Sequence, residues 1–460
     1  MRFARSKAKW TVALVALALL AAACGTSEDT TTTGAAGVEM EFEGEVVNVF
    51  GAFVDADAAA FDATVAPFEE ATGIDVVYEG SGDFETQIGI RVEGGNAPDI
   101  AMFPQPGLWA QFVPDMVEFG ALGVDLTQMA DDTSQYLTDL PGQISDAAGN
   151  TETGVYGGWF RLNTKSWLWI PVPEFDDAGY AEPQTWDELI ALQEQILADG
   201  NTPWCYGIES AGATGWVNTD WMEDIVMRDA GLQAYDDWVS HAIPFNDPQI
   251  KSAAERLGLV MFPEGNVLGG TDAILATPFG DQNTPMFEDP PACYLAKQAG
   301  FITGFFPGQD TPDDPSDDVF GPDAPSQQTR AIPFPTISNT EDVLLGAGDL
   351  FGVFSDDGAT AATVNFLLSP EGGEGFAQLQ AGFLSPNARF DTSNYTDPFQ
   401  RQQGELLAAA LGAGGFRFDA SDLMPANVGA GTFWTGMVEY TQNGPDNLDA
   451  VLADIEASWP

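Results

Sequence analysis

Val46-Val47-Asn48-Val49-Phe50-Gly51 is a short apolar run closed by glycine, and its passage into a helical pattern decides the fold. The run predicts a buried strand over residues 45–50. From Asp55 onward, Phe61, Val65 and Phe68 recur at i, i+4 and i+7, the spacing of one helical face, and Gly73 stops that helix. Pro67 falls inside the pattern and predicts a kink. Residues 74–78 read as a second strand, 84–92 as a second helix and 100–103 as a third strand. Strand and helix alternate at short spacing, which predicts an α/β layered domain with a mostly parallel sheet.

Upstream, Arg2, Arg5, Lys7 and Lys9 precede an apolar run over 10–20, and Ala21-Ala22-Ala23 lead into Cys24. A charged start, an apolar middle and small residues form an export signal over 1–23. The run is too short to span a bilayer. A cysteine directly after the small residues resembles a bacterial lipobox, whose thiol is lipidated after cleavage, with Ala21 in the usual Leu position. An ordinary signal peptide cut nearby is the alternative. Residues 24–41, rich in Thr, Gly, Ser and Ala, read as a flexible tether. Both readings place the protein outside the cytoplasm, the first of them lipid-anchored to the outer face of the cell membrane.

The 460 residues suffice for two or more domains. The formal net charge is -55, and beyond the signal only Lys165, Lys251 and Lys297 remain as lysines. Such a field repels nucleic acid and anionic membranes. The acids are scattered, without calcium-loop spacing, and read as a solvated surface of the kind a salt-adapted exported protein carries. After Cys24 only Cys205 and Cys293 are left, an even pair that reads as a disulfide in an oxidising compartment. No metal site and no cofactor is expected: there is a single His241, no cluster of Tyr and no glycine-rich phosphate loop.

Further along, Thr185-Trp186-Asp187-Glu188 is a capping box opening a helix that ends at Gly200. Asn246-Asp247-Pro248 opens another. Residues 307–327, rich in Pro and Asp, read as a long exposed loop, and 357–380 as helix broken at Ser369-Pro370.

Phe68-Glu69-Glu70-Ala71-Thr72-Gly73-Ile74-Asp75-Val76, Gly95-Asn96-Ala97-Pro98-Asp99-Ile100, Pro183-Gln184-Thr185-Trp186-Asp187-Glu188-Leu189 and the 345–354 strand stand in one order. Together they resemble the carbohydrate-binding components of bacterial ABC importers, the family 1 extracellular solute-binding proteins. Ala101 to Gly107, Thr164 to Trp169, and Cys205 with Cys293-Tyr294-Leu295 are similar to its α-glucoside subgroup. The resemblance implies a two-lobed periplasmic-binding-protein-like fold of type II, with a hinge between lobes and the ligand cleft at their interface. It places lobe one at 42–156 and 278–335, and lobe two at 157–277 and 336–460. The implied partners are a small sugar and the ABC permease subunits, and the chain is expected to act as a monomer.

A sugar has apolar C–H faces that stack on aromatic rings, and hydroxyls that need fixed donors and acceptors. Trp159, Trp216 with Asp220, and Trp434 adjoin polar residues in segments read as loops, and are the candidate platforms; core packing is the alternative for each. Trp167, Trp169 and Trp186 read as structural. The candidate polar groups are Asp83 and Gln105, after strands two and three, Asp281 near a crossing, and Asp349 behind a glycine strand. Arg161 either donates to hydroxyls or forms a salt bridge. The rival class is an exported glycoside hydrolase with two carboxylates at fixed separation. With 70 acidic residues, candidate pairs are too plentiful to inform. A binding protein for another polyol or an acidic sugar is the third class; an acidic ligand calls for several converging cations, and only Arg161 is placed for that.

Overall fold

The computed structural model describes residues 42–133, 140–145, 151–306, 328–338, 343–375, 382–395 and 397–460. The export signal, Cys24, the tether and the 307–327 loop lie outside them.

The opening stretch folds as its spacing predicts. Strand β1 (Val46–Gly51) pairs in parallel with β2 (Asp75–Gly80) and β3 (Ile100–Phe103). Helix α1 (Asp55–Thr72) joins the first two and α2 (Phe84–Glu93) lies before the third. Pro67 sits within α1, which continues through it and ends at left-handed Gly73, whose amide donates to the Glu69 carbonyl.

The rest of this sheet is not parallel. Its order is β2-β1-β3-β9-β5-β4, with β10 beside β9. Strands β4 (Leu140–Ser145), β5 (Thr151–Thr164) and β9 (Leu344–Val353) run antiparallel to their neighbours on this path, and β10 (Phe416–Phe418) is parallel to β9. The predicted mostly parallel sheet is therefore a mixed one. The reason is long range: β9 enters between β3 and β5 from more than 180 residues away, which local spacing does not reveal. A second, antiparallel sheet has β6 (Trp167–Pro171) between β7 (Ala296–Lys297) and β8 (Thr329–Pro333).

Helices pack around the second sheet. Helix α3 (Trp186–Ala198) starts with the predicted box: Thr185 Oγ1 accepts from the Glu188 amide and Glu188 reaches back to the Thr185 amide. Helix α4 (Trp216–Asp229) is buried on nearly every face and packs on α5 (Pro248–Met261), which Asp247 caps. Helices α6 (Gly358–Leu367) and α7 (Pro398–Ala413) return to the first sheet, while α8 (Trp434–Asn443) belongs with the second body.

The fold is α/β and two-lobed, of the type II periplasmic-binding class, and the apolar clusters mark its two bodies. Val47, Phe61, Phe103, Leu162, Leu344, Leu350, Leu407 and Phe418 lie in clusters under the first sheet. Leu168, Trp221, Tyr294, Ile332, Leu345, Ala420 and Met437 lie in the cluster of the second. The chain changes cluster between Leu162 and Leu168, between Leu344 and Leu345, and between Phe418 and Ala420, so several crossings connect the bodies. The segment expected in lobe one, 278–335, thus contributes Tyr294, Leu295, Ile332 and Phe334 to the second cluster, and the expected lobe-two segment 336–460 divides between both. Cys205 and Cys293 form a disulfide with Cα atoms 5.4 Å apart. Among the described residues, no helix is long and apolar enough to cross a membrane.

Candidate ligand-binding cleft

A cleft of about 930 Å³ opens where the crossings meet. The chain ends of β1 and β3 bring Phe53, Pro104 and Gln105 to it, β5 brings Arg161 and Asn163, and β9 brings Ala347, Gly348 and Asp349. Its other wall carries Ser210, Trp216, Phe279, Phe301, Phe305, Ser421, Asp422 and Trp434.

Two glycines let this happen. At Gly348 a Cβ would come 2.7 Å from the Arg161 carbonyl, so only a bare backbone lets β9 and β5 close beneath the cleft. Gly215 has φ +115° and precedes Trp216; a Cβ there would collide with the Trp434 carbonyl. That close approach holds the two indoles on the same wall.

The sequence places Trp159, Arg161 and Asn163 on alternate positions, and a regular strand would aim all three one way. The register between β5 and β9 shifts between Trp159 and Arg161. Such an irregularity re-aims side chains. Trp159 therefore packs in the core with Phe418, ring centroids 5.2 Å apart, and does not line the cleft. Arg161 does line it. Its guanidinium lies 3.8 Å from the Phe53 ring centroid and 3.5 Å from that of Phe383, with Nε donating to Asp349 Oδ2 at 2.6 Å and Nη2 to Asp57 Oδ2 at 3.1 Å. Both sequence readings of Arg161, cleft group and salt bridge, describe the same side chain.

Gln105, Trp216, Asp349 and Trp434 also line the cleft. Trp216 is half-buried and meets Phe279 edge-on at 5.2 Å. Trp434 is buried, its Nε1 donating to Ser421 Oγ at 3.4 Å. Asp220 does not line the cleft: it is buried on α4, its Oδ1 accepting from Lys165 Nζ at 2.9 Å. Asp83 and Asp281 are exposed and lie outside the lining, although their neighbours Gly82 and Phe279 are within it. The three Trp segments read as loops are regular elements: β5, the start of α4, and a π-turn running into α8. Aromatics beside polar groups look like loops because they break one-faced patterning, which elements buried on both sides also do.

Glu85, Asn163, Lys165, Phe279, Phe301, Phe383, Asp419, Ser421 and Asp422 also line it and were not singled out from the sequence. Alternation from Arg161 points to Asn163 and Lys165, and the scarcity of lysine was a signal for the last. Nothing local marks 419–422, which reaches the cleft only through the crossing after β10.

Two lining side chains carry buried oxygens without a donor among the described residues. These are Gln105 Oε1 and Asn163 Oδ1, though Gln105 Nε2 donates to Glu85 Oε1 at 3.2 Å. An orphaned buried acceptor is costly unless something supplies the donor. Burial raises the Asp349 carboxyl above its ordinary range against the pull of Arg161. Burial raises Glu85 as well, and raises Asp422 strongly, with the neighbouring Asp419 charge adding to it. The cleft thus offers rings, orphaned acceptors and carboxyls, with its cations already paired to acids.

The family model of the bacterial extracellular solute-binding protein matches residues 52–374. The chain belongs to that family. It is 41% identical over 424 residues to the osmoprotective compounds-binding protein GgtB of Synechocystis sp., covering 92% of this chain and 94% of that one. It is 37% identical over 426 residues to the alpha-glucosides-binding periplasmic protein AglE of Rhizobium meliloti, covering 91% and 88%. The maltose-bound MalE3 of T. maritima superposes with a TM-score of 0.63 at 12% identity over 90% of this chain and 98% of that one, which shows the shared fold. The solute-binding protein is thus a substrate-binding component of the sugar ABC importer class, working outside the cytoplasm, and not an enzyme.

Proposed function

We propose that the protein captures a neutral oligosaccharide, an α-glucoside such as maltose or trehalose, and delivers it to the permease of an ABC importer. The observation that carries this reading is the pairing, in one cleft, of aromatic rings with Gln105 and Asn163, whose amide oxygens have no donor among the described residues. Sugar C–H faces stack on Trp216, Trp434 and the Phe279–Phe301 edge, and hydroxyls donate to the two amide oxygens. Arg161 and Lys165 are committed to Asp57, Asp349, Asp220 and Asp419, which disfavours an anionic ligand. The likeness to AglE supports the α-glucoside class. The likeness to GgtB favours a second reading within the same chemistry, a small neutral osmoprotective solute rich in hydroxyls.

The lobes follow the apolar clusters, with the crossings near 164–167, 344–345 and 418–420 as the hinge. Closure brings Gln105 and Asp349 onto a sugar stacked on Trp216 and Trp434, and creates the face the permease reads. Cys24 carries the lipid anchor, and the chain acts as a monomer. Asp83 and Asp281 stand at the rim, where they reach ligand on closure. A thermal-shift screen with maltose, trehalose, sucrose and aryl-α-glucosides tests the proposal. A rise in melting temperature without release of glucose supports it. Hydrolysis, or no shift with any neutral saccharide, contradicts it.

A further inference from the structure

Beneath the cleft wall the second body holds a cluster of buried charged groups, of which Lys165, Asp419 and Asp422 reach the cleft lining. Asp220, Glu223, Asp224 and Arg228 come from α4, Lys165 from the β5–β6 crossing, Lys297 from β7, and Asp419 and Asp422 from the segment after β10. All are at least 94% buried by exposed area, with Glu223 and Asp224 fully hidden.

The cations are allotted. Lys165 Nζ donates to Asp220 Oδ1 at 2.9 Å and to Asp419 Oδ2 at 2.5 Å. Lys297 Nζ lies 2.9 Å from Asp224 Oδ2, and Arg228 pairs with the other oxygen of the same carboxylate. Among these groups Glu223 and Asp422 have no ion-pair partner, and of the two Glu223 is the more deeply buried. The Glu223 Oε1 accepts from the Ser421 amide at 3.0 Å; its Oε2 is buried with no hydrogen-bond partner among the described residues, as is Asp220 Oδ2. One carboxylate oxygen each of Asp220, Glu223 and Asp419 lie within 4.8 Å of one another. Three carboxylates about one ammonium at that spacing leave excess negative charge in a dry site, which burial makes untenable. Either a cation or a proton must neutralise it. The cleft lining includes Asp419 and Asp422 but neither Asp220 nor Glu223.

We propose that Glu223 is a positioning residue for ligand binding: as a neutral carboxylic acid it ties α4 to the Ser421 amide and so sets the 419–422 segment that lines the cleft. This rests on the cleft being the ligand site. The proton sits on Oε2, with the carboxylates of Asp220 and Asp419 as neighbouring acceptors, and the carbonyl oxygen keeps the Ser421 bond. The device is continuous with the ligand surface, because Asp419 Oδ1 accepts from Ser421 Oγ and the Asp422 amide, and Ser421 Oγ faces Trp434 Nε1. Burial raises the Glu223 carboxyl strongly, and the charges of Asp419 and Asp220 add to it against Lys165, which agrees with the neutral form. Tyr235 faces the same group from the next helix along the chain and is itself pushed toward the neutral phenol by burial.

The test uses the full chain, with and without maltose, from pH 6 to pH 9. A carboxyl raised in the folded state contributes stability at low pH that is lost as pH rises through its folded value. Wild type is therefore expected to lose melting temperature with rising pH relative to Glu223→Gln, whose amide keeps both the acceptor and a donor without charge. Maltose affinity of Glu223→Gln is expected within about threefold of wild type at pH 7, with Glu223→Ala weaker by tenfold or more. In the infrared difference spectrum between wild type and Glu223→Gln, a protonated-carboxyl band is expected on the wild-type side, apart from any band of Asp349, Glu85 or Asp422 common to both. Tenfold weaker binding or a lowered melting temperature in Glu223→Gln overturns the proposal, because the charged form would then be the working one. So does a melting temperature that differs between sodium and choline chloride at equal ionic strength, which would assign the place to a metal cation. If maltose fails to bind wild type, the ligand reading fails, while the infrared band and the pH-dependent melts still decide whether Glu223 holds a proton.

Discussion

Replacing Trp216 by Ala tests the ring wall at its most informative point. Trp216 is the half-buried indole of that wall, with one edge held by Phe279 at 5.2 Å and another against Phe301 at 5.9 Å. Lys165 Nζ lies over the ring, 5.3 Å from its centroid, and the ring is only half-buried. A sugar lying on one indole face removes roughly a third of the 150–250 Å² that a buried aromatic hides, so about 50–80 Å². At about 25 cal/mol per Å² this is about 1.3–2 kcal/mol, and oriented contact adds about 0.5–1 kcal/mol. Trp216→Ala should therefore weaken sugar binding by about 1.8–3 kcal/mol, a rise in Kd of about 20- to 150-fold. Calorimetric titration with the tightest saccharide of the thermal screen measures it, with a melting curve to show that the variant is folded. Trp159→Phe is the control: it lies in the core against Phe418 and should lower the melting temperature with little effect on Kd. Unchanged affinity in a folded Trp216→Ala, or equal losses in both variants, would refute the stacking argument.

Arg161→Met should cost about 3–5 kcal/mol of folding stability in denaturant titration, because Asp57 and Asp349 lose the cation that neutralises them in a buried site; a loss under 1 kcal/mol would count against it. Replacing Cys205 and Cys293 by Ala opens a link spanning 88 residues and should lower stability by about 2–4 kcal/mol, while identical unfolding curves with and without reductant would remove the disulfide. Asp132 is pushed up by burial, but hydrogen bonds from Arg389, Gln128 and Asn387 outweigh that and hold its carboxyl below the ordinary range. A depressed carboxyl stabilises above its unfolded value and loses that contribution as pH falls through the folded one. The melting-temperature gap between wild type and Asp132→Asn should accordingly be present at pH 7 and narrow below about pH 4; a gap that widens in acid would contradict the assignment.

What the sequence disclosed was whatever local spacing controls. The β1–α1–β2 unit, the third strand, the Thr185 capping box and the Asp247-Pro248 start were legible because a periodicity, a glycine stop or a cap marks each one. The antiparallel strands of the sheet were not, since β9 inserts beside β3 through pairings that no window contains. The site divides the same way. Gln105 and Asp349 follow from the rule that strand ends and bare glycine strands face a crevice. Trp159 misled because the irregularity in β5 that turns it inward leaves no local trace. Asp422 and Ser421 were invisible because a third crossing carries them to the cleft, and Asp220 was misplaced because its ion pair with Lys165 is a contact over 55 residues.

The central claim is that a neutral saccharide is held in the cleft and leaves it unchanged. Isothermal titration of the full chain with maltose and with trehalose, followed by chromatography of the recovered sugar, tests it directly. The account predicts saturable one-to-one heat with at least one of the two and quantitative recovery of intact disaccharide. Absence of binding to both, or the appearance of glucose, would contradict it.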